Sequence, residues 1–292
     1  MSPRAKGVAC GIAAAVSYGM IPLFTLPLYS AGIGANSVLF YRYAIAVIIS
    51  FILHKIIRKN SLKINLREGL CLFGMGLLFS MSSLTLFMSF KHIDAGLACT
   101  MLFVYPVMTA LIMAVFFKER LNKSAIAAIA MATVGIFLLY NGGDNVRMNV
   151  KGAALVIASA LSYAVYMVAI RQSRTLKTMD GAKLSFYVML FGLAVFAANL
   201  SGTGLQKISR PSLWLYPMAL ALLPTILSLE TLTVSIKLIG PSSTAVLGAL
   251  EPLTAIFIGI LVFGEHITAR IAIGIILVLS GVMLIAARRG KH

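Results

Sequence analysis

Apolar residues fill most of the chain in long runs that are separated by short polar and basic segments. About 20 apolar residues in a helix are needed to cross the hydrocarbon core of a bilayer. The pattern divides into ten such runs, with approximate limits 7–28, 35–53, 69–90, 95–117, 124–140, 152–170, 183–202, 213–236, 241–263 and 268–287. It therefore predicts an all-α integral membrane protein with ten transmembrane helices.

The ninth run contains a carboxyl group and a proline where lipid tolerates neither well. Glu251 lies in its middle and Pro252 follows directly. Proline removes a backbone donor and displaces the carbonyl four residues earlier, so we expect both groups to face protein or a water-filled cavity. Tyr105 and Pro106 stand at the corresponding positions 146 residues upstream. Pro106 and Pro252 are therefore predicted helix breaks.

The chain consists of two copies of one unit. Residues 6–18 match residues 151–163 at eight of thirteen positions, and a cleaved signal peptide would have no reason to recur inside the protein. Each copy contains five predicted spans, and an odd number makes the second copy enter the membrane from the opposite face. The sequence thus predicts an inverted repeat, with units 5–143 and 144–288.

Composition and charge agree with a membrane protein. Hydrophobic residues make up 60% of the chain and charged residues 11%, which excludes an ordinary soluble domain. The 25 Lys and Arg against 8 Asp and Glu do not indicate nucleic acid, because basic residues gather in cytoplasmic loops. With the N-terminus inside, the inner segments hold 18 Lys and Arg and the outer ones 6. Both termini are therefore predicted to be cytoplasmic, in the inner (plasma) membrane.

Metal and cofactor chemistry has no support in the sequence. Cys10, Cys71 and Cys99 lie singly in apolar runs, without metal-ligand or redox spacing. We expect no metal and no cofactor.

Three ionisable residues within the apolar runs are candidates for function. Glu251 either couples transport to protons or another cation, or hydrogen-bonds the broken helix as a structural plug. Glu230, on the eighth run, is either a second proton or cation site or is paired internally. Arg42, near the start of the second run, either anchors the membrane interface beside Tyr41 and Tyr43 or binds a substrate carboxylate.

Hydroxyl-bearing side chains form a stripe that is present in both copies. Ser82 and Thr85 in the third run correspond to Ser228 and Thr231 in the eighth, and such hydroxyls either line a shared cavity or bond to a neighbouring helix. Four tyrosines could give that cavity aromatic walls or simply pack. The candidate substrate contacts are Tyr18, Ser82, Thr85, Tyr105, Tyr163, Tyr166, Ser228 and Thr231.

Helix ends carry further signals. Asp94 stands where an N-cap is expected. Glu119 and Glu265 end the fourth and ninth runs at corresponding positions, and we expect them to make interfacial or loop contacts.

These motifs resemble a known family. VYPVMTALIMAVFFKERL (104–121), LEPLTAIFIGILVFGEHIT (250–268) and FYRYAIA (40–46) are similar to segments of the drug/metabolite transporter superfamily, in particular its EamA group. The resemblance covers essentially the whole chain. It implies a basket-like fold, a central cavity between the halves, alternating access, and small-molecule substrates such as amino acids, related compounds or drugs.

The favoured function is secondary active transport of a small organic metabolite, as an exporter driven by proton exchange. An uptake carrier or an exchanger of the same fold is the alternative. A passive channel is less favoured, since the sequence contains no carbonyl-rich filter or ring of like charges. An enzyme is not expected, because there is no His-Glu-x-x-His motif and no nucleophile elbow. The expected partners are the substrate and the lipid bilayer, and the protein is either a monomer or a homodimer.

Overall fold

Helices account for the whole architecture of the described residues. The computed structural model describes residues 2–57, 62–118, 123–140, 149–177 and 179–288, and no β-strand occurs among them. The first seven helices are α1 (Pro3–Gly19), α2 (Ile21–Ser30), α3 (Ala35–Phe51), α4 (Leu66–Ser89), α5 (Ala95–Leu102), α6 (Tyr105–Phe117) and α7 (Lys123–Tyr140). The others are α8 (Val150–Gln172), α9 (Arg174–Lys177), α10 (Gly181–Thr203), α11 (Leu215–Ala221), α12 (Ser228–Leu247), α13 (Leu250–Phe263) and α14 (Ala269–Arg288).

Many of these helices are long and apolar enough to cross a membrane. In the described part of the chain seven stretches meet that condition: Pro3–Ser30, Ala35–Lys55, Leu66–Ser89, Ala95–Phe117, Val150–Ile170, Gly181–Gly202 and Pro211–Ile236. Three shorter apolar helices are Ile126–Leu139, Leu250–Phe263 and Ala269–Leu284. The prediction of an all-α, multi-pass membrane protein is confirmed, while the count of ten spans stays a prediction.

Two helices break at corresponding places. The fourth predicted run is divided where α5 ends at Leu102 and α6 begins at Tyr105, with Pro106 in the first turn of α6. The ninth run is divided in the same way, because α13 begins at Leu250 and Pro252 is its third residue. Since Pro252 cannot donate to the Gly248 carbonyl, that carbonyl instead accepts a bond of 3.0 Å from the Glu251 amide. Each break thus exposes helix ends in the interior.

Helix α12 folds back on itself. The hydroxyls of Ser235 and Thr244 lie 2.9 Å apart, whereas nine residues of a straight helix would separate their backbones by about 13.5 Å. The chain therefore reverses direction between these two residues, and α12 contains the end of the eighth predicted run and the start of the ninth.

Other local signals explain where helices start and loosen. Asn65 and Glu68 form a reciprocal capping box at the start of α4, which satisfies two orphan backbone groups. The Asn149 side chain accepts a 2.8 Å bond from the Gly152 amide at the start of α8. Two π-helical turns occur, Ile52–Ile57 after α3 and Leu222–Leu227 before α12.

The helices pack in a pattern that links the two copies. Helix α1 packs against α12 and α13, α8 against α4 and α6, and α3 and α4 both against α10. Helix α3 also packs against α11, α5 against α13, and α7 against α14. Glycines permit the closest approaches: a Cβ at Gly192 would lie 2.6 Å from Cε1 of Tyr43. Most helix contacts therefore join one copy to the other.

Candidate functional site

The carboxyl group of Glu251 lies where helices of both copies meet. It occupies the first turn of α13 and is half-buried. The hydroxyls of Tyr18, Tyr105 and Tyr163 are close enough to interact electrostatically with it. Helix α1 approaches the same point so closely that a Cβ at Gly19 would collide with the Glu251 carbonyl oxygen. Phenolic hydroxyls from α1, α6 and α8 therefore lie within electrostatic range of this ionisable group.

Three of the predicted tyrosines form one aromatic cluster. The Tyr105 and Tyr163 rings meet edge to face with centroids 4.6 Å apart, and Tyr163 stacks on Tyr166 at 5.7 Å. Phe79 of α4 packs against Tyr166 at 5.4 Å. Aromatic pairs in this distance range stabilise one another beyond their buried area. The cluster forms a rigid aromatic wall beside Glu251.

Arg42 is buried rather than interfacial. Its side chain is 3% exposed, its Nε donates a 2.8 Å bond to the Thr225 hydroxyl, and its guanidinium group lies over the Phe87 ring at 5.6 Å. The interfacial anchor, which needs water or lipid headgroups around the charge, does not describe this position. Arg42 also interacts electrostatically with Tyr18, as Glu251 does. The structure therefore brings a guanidinium group and a carboxyl group within electrostatic range of the same tyrosine.

Two of the four hydroxyls in the stripe join neighbouring helices. Ser82 of α4 and Ser159 of α8 are joined by a 3.1 Å contact between their hydroxyls, and the Ser228 hydroxyl donates a 3.0 Å bond to the Ala14 carbonyl of α1. The hydroxyls of Thr85 and Thr231 bond to carbonyls of their own helices. These hydroxyls have protein partners, as expected when they link membrane helices.

Glu230 lies in a second place, with a partner that the sequence did not single out. Its carboxylate is 3.5 Å from Nε2 of the buried His54, which belongs to the π-helical turn after α3. Glu230 borders a cleft of about 400 Å³, which is lined by Leu53, Leu222, Leu223, Ile226, Leu227, Glu230, Thr231 and Val234. Glu251 and the tyrosines do not line this cleft. Since π-turns recur at functional sites, the pair stays a candidate for function.

His54 and Thr225 are the polar residues of this region that sequence reasoning missed. A single histidine at the end of an apolar run and a single threonine inside one carry no periodic signal. Glu119 lies outside the described residues. Across the residues that the structure describes, no group of three or more His, Cys, Asp or Glu side chains is arranged to hold a metal ion.

Comparison with known families gives one match that spans both copies. The model of the EamA-like transporter family matches residues 5–141 and 150–287. The predicted units are 5–143 and 144–288, and that division stays a prediction.

Several proteins are similar in sequence. An uncharacterized transporter of Archaeoglobus fulgidus is 25% identical over 191 residues, which cover 65% of this chain and 67% of that protein. A probable terminal-alkyne amino-acid exporter of Streptantibioticus cattleyicolor is 26% identical over 201 residues, covering 68% of this chain and 66% of the exporter. The uncharacterized transporter YcbK of Bacillus subtilis is 24% identical over 282 residues, covering 90% and 88%.

A solved crystal structure shares the fold. It has a TM-score of 0.69 at 19% identity and covers 99% of this chain and all of its own. At that identity the likeness concerns the fold alone.

Proposed function

Because the chain belongs to the EamA-like transporter family, and is thus a membrane transporter rather than an enzyme, we propose that it exports small zwitterionic metabolites. Amino acids and related compounds are the substrate class, and alternating access is the mechanism. Exchange for protons supplies the driving force.

The observation that carries the proposal is the placement of Arg42 and Glu251. Both interact electrostatically with Tyr18, yet no ion pair joins them in the described part of the chain. Charged groups inside a membrane protein require partners, and an amino acid supplies both: a carboxylate for the guanidinium group and an ammonium for the carboxylate. Tyr105, Tyr163 and Tyr166 then form the wall against which the substrate's side chain packs. Export of an amino acid is also the activity named for the Streptantibioticus relative.

The contacts between helices of the first copy and helices of the second support the proposal that the two copies have opposite orientations in the membrane. The α1–α12 contact in one set of helices corresponds to the α8–α4 contact in the other, and α1–α13 corresponds to α8–α6. The pairs α3–α10 and α7–α14 each join equivalent helices, and α5–α13 joins different halves of the corresponding fourth and ninth runs. Such an arrangement has two conformations related by exchange of the copies' roles, which is what alternating access requires.

Glu251 is the proposed coupling group, and Glu230 with His54 is a second titratable pair. Protonation of Glu251 removes the charge that holds the substrate ammonium, so proton and substrate compete for one carboxylate. This competition converts a proton gradient into outward substrate movement. The distribution of basic residues favours an orientation with both termini on the cytoplasmic side of the inner membrane.

Transport in proteoliposomes tests the proposal. We expect the purified protein to catalyse exchange of radiolabelled amino acids and to move them against their gradient when a pH gradient is imposed. Glu251→Gln should abolish the pH-driven movement but leave substrate exchange, because the amide still accepts a hydrogen bond and cannot titrate. Thr133→Val is the matched control, since its hydroxyl is exposed and bonds to the Ile129 carbonyl within α7.

Two results would contradict this assignment. Absence of flux for every amino acid, with or without a pH gradient, would remove the substrate class. An unchanged pH response in the Glu251→Gln variant would remove Glu251 from coupling.

The orientation can be tested at corresponding positions of the two copies. Gly32 follows the first span, and Lys177 is its counterpart after the sixth. We expect alkaline phosphatase fused after Gly32 to be active outside the cytoplasm and the same enzyme fused after Lys177 to be inactive. Equal activity of the two fusions would exclude an inverted repeat.

A further inference from the structure

Glu265 provides the N-cap of a helix that belongs to the other copy. Its carboxylate accepts a 2.7 Å bond from the Ala95 amide and a 3.1 Å bond from the Gly96 amide, at the start of α5. Asp94 occupies the N-cap position itself but makes no side-chain bond to these amides. Asp94 is thus the N-cap residue, as expected, but the capping bonds come from Glu265. A helix of the first copy is thus capped by a side chain of the second copy.

Close packing fixes the carboxylate in this position. A Cβ at Gly96 would lie 2.8 Å from Oε2 of Glu265 and 2.9 Å from Cα of Ile256. A Cβ at Gly259 would lie 2.7 Å from the Glu265 carboxyl carbon. The Glu265 amide donates a 2.9 Å bond to the Gly259 carbonyl, and Gly264 between them has φ +66°, a conformation that favours glycine. Side chain and backbone are both held against α13.

Opposing electrostatic effects act on this carboxyl group, which lies in the segment between α13 and α14. Burial and, to a smaller extent, the Asp94 carboxylate raise the pKa of Glu265 to about 7, against the opposing effect of the bonds from the Gly96 and Ala95 amides. Two other titratable groups are near: Cys99 on α5, and Glu251 on α13, which interacts with the same thiol. Desolvation prevails, so the group changes its charge near neutral pH.

We propose that Glu265 is a proton-responsive latch that holds the start of α5 in one copy against α13 in the other. It is a positioning residue for transport, because α5 leads into the helix break next to Tyr105. The role of the latch in export rests on the proposed function. The pH-dependent contact itself is a conformational property and does not depend on which substrate is transported.

Linkage gives the direction of the response. A latched carboxyl group that titrates near 7 binds its proton more tightly than a released one that titrates near 4.5. Acid therefore favours the latched state, and the latch loosens as the pH rises through 7. With the termini inside, this contact lies on the outer face. External protons then close the outer end of the protein, which is the return step that a proton-exchanging exporter needs.

The corresponding region of the other copy has different residues around the position equivalent to Glu265. The positions that correspond to Asp94, Gly96 and Gly259 are occupied by Gly240, Ser242 and Met113. The acidic neighbour and the two small residues are thus present for Glu265 alone. The response to pH is accordingly assigned to one face of the protein.

Hydrogen–deuterium exchange at the Ala95 and Gly96 amides tests the latch in the purified full-length protein in detergent. After correction for intrinsic exchange rates, we expect the start of α5 to open about tenfold more often at pH 8 than at pH 6. This factor follows from a Glu265 pKa of about 7 in the latched state and 4.5 in the released state. The Ile271 amide is the internal control, because it bonds to the uncharged Thr268 hydroxyl at the start of α14 and should show no such change.

Two variants make the test decisive. Glu265→Gln should remove the pH dependence while the amide still caps α5. Asp94→Asn should move the midpoint to lower pH, because one source of the raised pKa is removed. The latch is excluded if the wild-type amides follow the Ile271 control, or if Glu265→Gln keeps the tenfold change. Neither result bears on amino-acid flux, so the failure of one proposal is distinguishable from the failure of the other.

Discussion

Arg42 combines full burial with a hydrogen bond from one of its nitrogens. The described residues supply an acceptor to Nε, in the hydroxyl of Thr225, and an aromatic face in Phe87. The planar fork formed by the two terminal nitrogens matches a carboxylate. This geometry supports the proposed contact of Arg42 with a substrate carboxylate.

Replacing Arg42 by lysine keeps the positive charge but removes the planar guanidinium group. We expect Arg42→Lys to raise KM for an amino acid by about 10- to 100-fold, because a charge-assisted hydrogen bond contributes about 1.5–3 kcal/mol. The kcat should change less. Initial transport rates over a range of substrate concentrations in proteoliposomes measure both constants.

The control is the amide analogue of the same substrate, which has no carboxylate. Transport of this amide should be weak in the wild type and should not change in the Arg42→Lys variant. An equal loss for both compounds would indicate a structural role for Arg42 instead.

The polar residues differ in how far the sequence reveals them. Arg42, Glu230 and Glu251 are conspicuous because a charge within an apolar run is costly. Their partners are not, since Thr225 and His54 are brought to them by helix packing. The capping role of Glu265 is equally hidden, because the helix that it caps begins 170 residues earlier.

At the scale of helices, the apolar periodicity and the prolines indicate where segments lie and where two of them break. They do not indicate the π-helical turns, which contain no distinctive residue pattern. They also do not indicate that α12 continues through a reversal of direction, since propensity is local and the Ser235–Thr244 contact that accompanies it is a product of tertiary packing.

Two glycines of α10 provide a matched test of helix packing. A Cβ at Gly192 would meet Tyr43 at 2.6 Å and the Ser80 hydroxyl at 2.7 Å, whereas Gly202 has open space around it. We expect Gly192→Ala to lower the free energy of unfolding by about 1–3 kcal/mol through overpacking. Gly202→Ala should be neutral or raise it by up to about 1 kcal/mol.

Thermal unfolding of both variants in detergent measures the difference. A melting temperature for Gly192→Ala equal to that of Gly202→Ala would show that α10 does not approach α3 and α4 this closely.

For the molecule as a whole, the duplication made the largest part of the architecture readable from the sequence. Residues 6–18 and 151–163 identify the copies, and the basic residues suggest their orientation. The association of the copies was not readable, because no pattern within one copy states which helix of the other it contacts. That association decides that Tyr18, Tyr105, Tyr163 and Glu251 share one region.

The contact of α1 with α12 and α13 has a consequence for biosynthesis. Helix α1 ends at Gly19 and α12 begins at Ser228, so at 5–20 residues per second a ribosome needs roughly 10–45 s to deliver the partner of the first helix. During that interval the glycine-lined side of α1 lacks its neighbours. A nascent chain halted before α12 would present this unfilled surface to membrane-bound chaperones and proteases, which gives quality control a means to recognise incomplete translation products.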